Sequence, residues 1–277
     1  MLQEWIHEEH TDGYGVKWKI TEVLHEEQTK YQKLSVVNTV EWGRTLILDG
    51  NVQTTETDEY IYHEMMVHPA MNTHDHVEKV LIIGGGDGGV LKEIVKYDTV
   101  TKIDMVEIDE GVVNASKKYF PKISSGFVDQ RVNLLIEDGI QYVKNCTTKY
   151  DLVIIDSSDP IGPAIGLYSK DFYQDVFSLL KEAGIMVAQS ESPMFYREIF
   201  QSIYKNISDV FPQQFVYLAS IPTYIAGPWA FTMAIKRDNP LKIASDIEPL
   251  TGLQYYNKNI HCSAFSLPEY IKKLLLA

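Results

Sequence analysis

Apolar and polar positions alternate through residues 14–53, in "YGVKWKITEVLHEEQ", "YQKLSVVNT" and "RTLILDGNVQTT". A period of two in segments rich in β-branched and aromatic residues predicts antiparallel strands, with Asp49-Gly50 as a hairpin turn. From Asp58 the spacing becomes helical: "DEYIYHEMMVHPAMN" puts Ile61, Met65 and His68 on one face, with Tyr62 and Met66 beside it. From Lys79 onward, the apolar runs "KVLIIG", "TKIDMVEID", "RVNLLIED", "YDLVIIDSS", "GIMVAQSES", "QFVYLAS" and "AFTMAIK" follow one another. Helical stretches such as "GVLKEIVKY", "EGVVNASKKYF" and "SKDFYQDVFSLLK" separate them. That alternation predicts a mostly parallel sheet with helices on both faces. The last two runs are joined only by "SIPTYIAGPW", too short for a helical crossover, so they should pair antiparallel. The expected division is a small β domain over residues 1–56 and an α/β domain over residues 57–277.

In an open sheet of this class, ligands bind beyond the carboxyl ends of the strands. The first predicted strand ends in Gly84-Gly85-Gly86-Asp87-Gly88-Gly89 and the second in Glu107 and Asp109. Glu137-Asp138-Gly139 ends the third, and Asp156-Ser157-Ser158-Asp159-Pro160 the fourth. Asp109 and Asp138 also fit helix N-caps. Asp87 is unexpected, because glycine-rich turns before helices usually cradle phosphates and a carboxylate repels them. Either it caps the helix, or the ligand is not a phosphate. Glu107 lies 18 residues after Gly89, the interval at which an acid in nucleotide-binding folds meets ribose hydroxyls. A nucleoside bearing a cation satisfies both features, and a dehydrogenase binding a pyrophosphate does not. Asp87, Asp156 and Asp159 converging on one crevice would repel one another by about 4 kcal/mol per pair at 4 Å and an effective dielectric of about 20. A bound cation would relieve that.

Composition narrows the classes further. The 277 residues carry 25 basic and 38 acidic side chains, a net charge of −13, with no basic block to follow a nucleic-acid backbone. Cys146 and Cys262 stand alone, so no disulfide framework or structural zinc site is expected. The N-terminus lacks the pattern of a signal peptide and no apolar run is long enough to span a bilayer, so a cytoplasmic protein is expected.

The motifs "LILDGNVQTTETDEYIYHEMMVHPAM", "VLIIGGGDGGVLKEIVKY", "MVEID", "EDG", "YDLVIIDSSDPIGPAIGLYSKDFY" and "IPTYIAGPWAF" resemble those of spermidine synthases, the polyamine aminopropyltransferases. The similarity runs from "EWIHEEH" to "FSLPEYIKKLL". It implies a methyltransferase-like Rossmann fold behind a small N-terminal antiparallel β domain, in a homodimer or homotetramer. It also implies transfer of an aminopropyl group from decarboxylated S-adenosylmethionine, a co-substrate, to putrescine, with no resident cofactor or metal. Residue by residue, the resemblance makes Asp156 the proton acceptor, helped by Tyr62. It assigns Gln32, Gly84, Gly86, Glu107, Asp138, Gly139 and Pro163 to the nucleoside. His63, Asp87, Ser157, Ser158, Asp159 and Tyr224 go with the aminopropyl group and the polyamine. Trp5, Gln189, Glu191 and Trp229 would shape the diamine channel. Read without it, His63, Tyr62 and Trp229 are ordinary packing residues and Gln32 is the wet face of a strand. Residues 161–168, with Gly162 and Gly166, look like a loop able to close over the site. An N-methyltransferase would bring a donor carboxylate against Asp87, and a plain polyamine-binding module would not need Glu107 and Asp138.

Overall fold

The computed structural model describes residues 5–158, 162–225, 227–237, 247 and 249–276, without the side chains of 162 and 163. Within them the N-terminal sheet is a five-stranded antiparallel meander: β1 (Trp5–Thr11), β2 (Tyr14–Gln28), β3 (Lys33–Thr39), β4 (Gly43–Leu48) and β5 (Asn51–Thr55). β1 was not expected, because "WIHEEHT" offers no apolar alternation; the one fully buried side chain on it is an acid, Glu8. The β4–β5 hairpin turns where expected, with φ of 49° at Asp49 and 90° at Gly50, the backbone of a two-residue turn with both centres left-handed.

The inner strands of this sheet are buried on both faces. Trp18, Ile20, Val37, Ile47 and Val52 form one cluster. Leu34, Val36 and Leu46 pack with Val112, Ala115 and Phe120 of the larger unit. The meander is thereby fastened to the helix that carries Val112.

α1 (Glu59–Thr73) leads into the second sheet and departs from the single apolar face expected of it. Met65, Met66, Val67 and Ala70 are all buried, and so are Glu59, His63, Glu64 and His68. A helix enclosed on all sides must pair its polar groups internally. Glu64 does so by accepting the backbone N–H groups of Gln254, Tyr255 and Tyr256, which pins the C-terminal segment.

The second sheet has the order β11-β12-β10-β9-β6-β7-β8 among the described residues. Its strands are β6 (Lys79–Gly84), β7 (Lys102–Glu107), β8 (Val132–Ile136), β9 (Tyr150–Asp156), β10 (Leu180–Gln189), β11 (Gln213–Ala219) and β12 (Trp229–Ile235). β6 to β10 run parallel, and β12 pairs antiparallel with both β10 and β11, as the short connection required. Between the strands lie α2 (Gly89–Ile94), α3 (Glu110–Tyr119), α4 (Gly139–Asn145), α5 (Lys170–Leu179) and α6 (Arg197–Ser208). Side chains alternate between two cores: Ile82, Ile154 and Val187 face α1 and α2, while Ile83, Ile155 and Met186 face α5. α7 (Lys258–Ala264) and α8 (Glu269–Leu275) complete the chain, and Ile271 of α8 packs on Phe200 and Val216.

The chain moves outward from β6 through β7 to β8 and then returns to place β9 on the other side of β6. β6 and β9 therefore flank the point where strand order reverses, where the carboxyl ends open a crevice.

Candidate active site

A cavity of about 360 Å³ opens at that reversal. Sheet order sets the sequence of groups along its rim: Trp229 of β12, Gln189 of β10, Asp156 of β9, Gly84 of β6, Glu107 of β7, then Asp138 and Gly139 after β8. Gly86, Asp87, Ser157 and Ser158 come from the loops between, Tyr62 and His63 from α1, and Gln32 and Tyr224 from loops above.

Two glycines let the rim close up. Gly84 has φ +83°, and a Cβ on it would lie 2.2 Å from the Asp156 carbonyl oxygen; Gly85 N–H donates to that same oxygen over 2.8 Å. A Cβ on Gly89 would sit 2.1 Å from the His63 ring, so only glycine there allows α1 to lie against the start of α2.

Asp87 reconciles the two readings open in the sequence. Its Oδ1 accepts the Gly89 N–H (2.8 Å), so it does satisfy a helix N-terminus, while its Oδ2 lies 3.2 Å from His63 Nε2 and faces the cavity. His63 Nδ1 lies 2.6 Å from Glu59 Oε2. With a carboxylate at each nitrogen the ring is an imidazolium: burial opposes the charge, but Asp87 and then Glu59 outweigh it and push the pKa up to about 10. His63, Asp87 and Asp156 bring ligand-type atoms within 4.8 Å of one another. With a carboxylate at each ring nitrogen, His63 supplies the positive charge of this cluster.

Asp156 accepts a 2.6 Å hydrogen bond from Tyr62 Oη. Burial, then the charge of Asp87, pushes its pKa up to about 6, with His63 and Tyr62 pulling the other way. The Tyr62 phenol is held well above its ordinary value by burial and by Asp156, so it stays a neutral donor. On the other side of β6, burial pushes Glu107 up to about 7, with the nearby Asp109 and Asp156 charges adding to it; its Oε1 accepts the Asp109 N–H (2.8 Å).

Asp109 and Asp138 are N-caps, as their positions suggested: Asp109 accepts from Gly111 N–H, and Asp138 from the N–H groups of Ile140 and Gln141. Gln32 corrects the expectation of a strand's wet face. It lies in the β2–β3 turn, where its Nε2 donates to Asp109 (2.9 Å) beside the Thr29 hydroxyl (2.7 Å).

Two family models match this chain, a spermine/spermidine synthase domain over residues 59–243 and a spermidine synthase tetramerisation domain over residues 4–56. The chain belongs to the spermine/spermidine synthase family. The polyamine aminopropyltransferase of Desulforudis audaxviator is 44% identical over 267 residues, covering 96% of this chain and 97% of its own. That of Caldicellulosiruptor saccharolyticus is 42% identical over 274 residues, 99% of each chain. A crystal structure of spermidine synthase in complex with the transition state analogue AdoDATO superposes with a TM-score of 0.95 at 37% identity, covering 99% of this chain and 96% of that one. The spermidine synthase of Thermotoga maritima gives 0.93 at 37% identity, covering 99% and 95%. The chain is an aminopropyltransferase with the methyltransferase-like fold that the resemblance implied, built on the mostly parallel sheet that its strand and helix pattern predicted.

Not every expected residue reaches the cavity of this aminopropyltransferase. Trp5 is 47% exposed, lies near Lys19 and is not part of the lining. Glu191 is buried behind Gln189, 3.3 Å from its amide nitrogen, and does not line the cavity either. Trp229, Gln189 and Tyr224 do; Tyr224 Oη donates to the Gln53 carbonyl (2.6 Å) and its ring packs on Tyr62 and Trp229. Asp159 and the Pro163 side chain lie outside the described residues. Within the stretch read as a closing loop, Gly162–Tyr168 forms a 3-10 turn. Tyr168 ties it down, its Oη donating to the Ser158 carbonyl (2.8 Å) and accepting from Ser157 Oγ (3.0 Å).

Glu8 and His10 also line the cavity, from β1, and neither was singled out in the sequence. Glu8 is held by Trp18 Nε1 (2.7 Å) and the Val52 N–H (3.0 Å), and His10 Nδ1 lies 3.2 Å from Tyr196 Oη. The hint available was an uninterrupted polar run immediately before a strand. A buried acid in such a run is invisible to hydrophobic alternation.

Proposed function

We propose that the protein transfers the aminopropyl group of decarboxylated S-adenosylmethionine to putrescine, giving spermidine and 5'-methylthioadenosine. The observation that carries this reading is the pair Asp87 and Asp156, two partly buried carboxylates facing one cavity at the strand reversal. Glu107, Asp138, Gly139 and Gln32 hold the nucleoside on the β7–β8 side, along the backbone of Gly84 and Gly86, and Pro163 belongs with the same ligand. Asp87 takes the donor's ammonium. Ser157, Ser158, Tyr224, Gln189 and Trp229 receive the diamine on the β10–β12 side, Asp159 is a further anchor for its amine, and Glu8 of β1 adds a carboxyl group to the same lining.

The nucleophile is the obstacle. An alkyl ammonium with a pKa near that of lysine, roughly 10.4, is only about one part in 10³ neutral at pH 7. The acidic cavity binds the diamine as a cation. Asp156 then takes one proton from the reacting nitrogen, its pKa of about 6 making it a far better acceptor than an ordinary aspartate. The nitrogen lone pair forms the new C–N bond at the carbon next to the sulfonium. The C–S bond breaks, and its electron pair stays on sulfur as a neutral thioether. Opposite charges cancel along this path, which a buried, water-poor cavity favours.

The two sheets serve as an oligomerising unit, residues 1–56, and a catalytic unit, residues 57–277, in a homodimer or homotetramer. The matched tetramerisation domain supports that assembly. No described helix is long and apolar enough to cross a membrane, and the two free cysteines fit a reducing cytoplasm.

The test is incubation with decarboxylated S-adenosylmethionine and, in turn, putrescine, cadaverine, agmatine and spermidine, with mass detection of products. Spermidine formed fastest from putrescine supports the reading. A preferred acceptor other than putrescine corrects the substrate, and no aminopropyl product at all overturns it.

A further inference from the structure

The charges around His63 continue outward in a line that the reaction does not by itself require. Lys92 Nζ lies 2.5 Å from Glu59 Oε1, Glu59 Oε2 lies 2.6 Å from His63 Nδ1, and His63 Nε2 lies 3.2 Å from Asp87 Oδ2. The signs alternate from a lysine near the surface to the carboxylate that faces the cavity. Glu59 is not part of the cavity lining.

The groups that face His63 come from three directions. On its own helix are Glu59 and Tyr62, whose ring meets it edge-on. The glycine loop and α2 supply Asp87 and, behind Glu59, Lys92. β9 supplies Asp156. Without a fixed positive charge, Asp87 and Asp156 would be two adjacent, partly buried carboxylates, and such a pair shares a proton. A protonated Asp87 would attract the donor's ammonium poorly.

On the functional reading given above, we propose that Glu59 is a positioning residue that keeps His63 doubly protonated, so that the imidazolium holds the Asp87 carboxylate ionised and aimed into the cavity beside Asp156. His63 and, beyond it, Lys92 keep Glu59 itself ionised. Both ring nitrogens are thereby committed to carboxylates, and His63 acts on the polyamine region through Asp87 rather than by touching the amine. Gly89 is part of the same device, since its missing side chain is what lets the ring reach Asp87.

The experiment is 15N NMR of histidine-labelled protein, with His63 assigned by the signal lost in His63→Gln. In the unmodified protein both His63 nitrogens should keep imidazolium shifts from pH 6 to pH 9. In Glu59→Gln the ring should lose a proton within that range. In parallel, calorimetry should show Glu59→Gln weakening decarboxylated S-adenosylmethionine about tenfold, as expected when a charge-assisted contact is degraded. 5'-Methylthioadenosine, which lacks the ammonium, should bind within twofold of normal. Equal weakening of both ligands would mean a merely structural role and overturn the proposal. So would a His63 that titrates near pH 6.5 in the unmodified protein, or one that stays charged at pH 9 in Glu59→Gln. If Glu59→Gln does not fold, the unmodified spectrum and the same pair of calorimetric titrations on His63→Gln decide it, with selective loss of the donor expected and equal loss contradicting. The NMR outcome does not depend on turnover, so a protein that fails to transfer aminopropyl groups but shows the expected titrations would refute the functional reading and leave the charge line standing.

Discussion

Tyr62 Oη and Asp156 Oδ1 are 2.6 Å apart, a neutral phenol donating to a buried carboxylate. The bond joins α1 to the end of β9 and fixes the carboxylate in one orientation. It also favours the ionised form of Asp156 against burial and the charge of Asp87, which raise its pKa. Tyr62→Phe should therefore lower kcat by about tenfold and move the acid limb of the pH–rate profile upward. A pH series of kcat and kcat/KM checks both. A loss of rate with no movement of the limb would assign Tyr62 to packing alone.

Among the carboxyl and imidazole groups of the described residues, three have pKa values raised by the fold, and they weigh on stability between pH 4 and pH 10. Asp156 goes from 3.8 to about 6, Glu107 from 4.5 to about 7 and His63 from 6.5 to about 10. For each, the folded state holds its proton more tightly than the unfolded chain, so the contribution is full below the ordinary value and lost as pH rises to the folded one. Asp87 and Glu59 are lowered, and their contribution is lost only as the pH falls below about 4. The free protein should melt highest near pH 5 and lower at pH 8. Asp156→Asn should flatten the slope between pH 4 and pH 6. Scanning fluorimetry without ligand reads this, and a melting temperature rising from pH 5 to pH 8 would contradict it.

Gly89→Ala places a methyl group 2.1 Å from the His63 ring. Relief requires α1 and α2 to part, so stability should fall by about 1–3 kcal/mol, the usual cost of overpacking. Activity should fall with it because Asp87 loses its ring contact. Urea unfolding and steady-state rates measure the two effects, and an unperturbed variant would show that the helices are not locked at this point.

Asp109 gathers the Gly111 N–H, the Thr29 hydroxyl and the Gln32 amide, joining the N-terminal meander to α3. Asp109→Ala should cost about 1–3 kcal/mol through a lost cap and two orphaned donors. It should also weaken 5'-methylthioadenosine, since the Gln32 amide leans on the Asp109 carboxylate, while the Asp109 N–H that Glu107 accepts is kept. Calorimetry and urea unfolding check it; unchanged nucleoside affinity would separate the domain contact from the site.

Strands with alternating or continuous apolar runs were legible in the sequence, and so was the clustering of carboxylates at one rim, because both follow from periodicity and strand ends. Asp87 was legible as an anomaly but its partner was not. His63 sits in a helix whose polar residues are buried, and pattern alone does not tell a paired buried ion from an exposed one. β1 and Glu8 were hidden by an all-polar segment, and Gln32 was misplaced because strand alternation runs on into the turn. Trp5 and Glu191 were expected at the cavity on resemblance and lie outside its lining, which depends on how strand ends are displaced along the rim.

The central claim is that Asp156 takes the proton of the attacking amine. The direct measurement is turnover of Asp156→Asn with putrescine across pH 6–10, beside donor binding by calorimetry. Asparagine keeps the shape and loses the acceptor, so kcat at pH 7.5 should drop by about 10² to 10⁴. Donor affinity should stay within about threefold, and part of the rate should return at high pH, where the amine is already neutral. Near-normal turnover of Asp156→Asn at neutral pH would contradict the account.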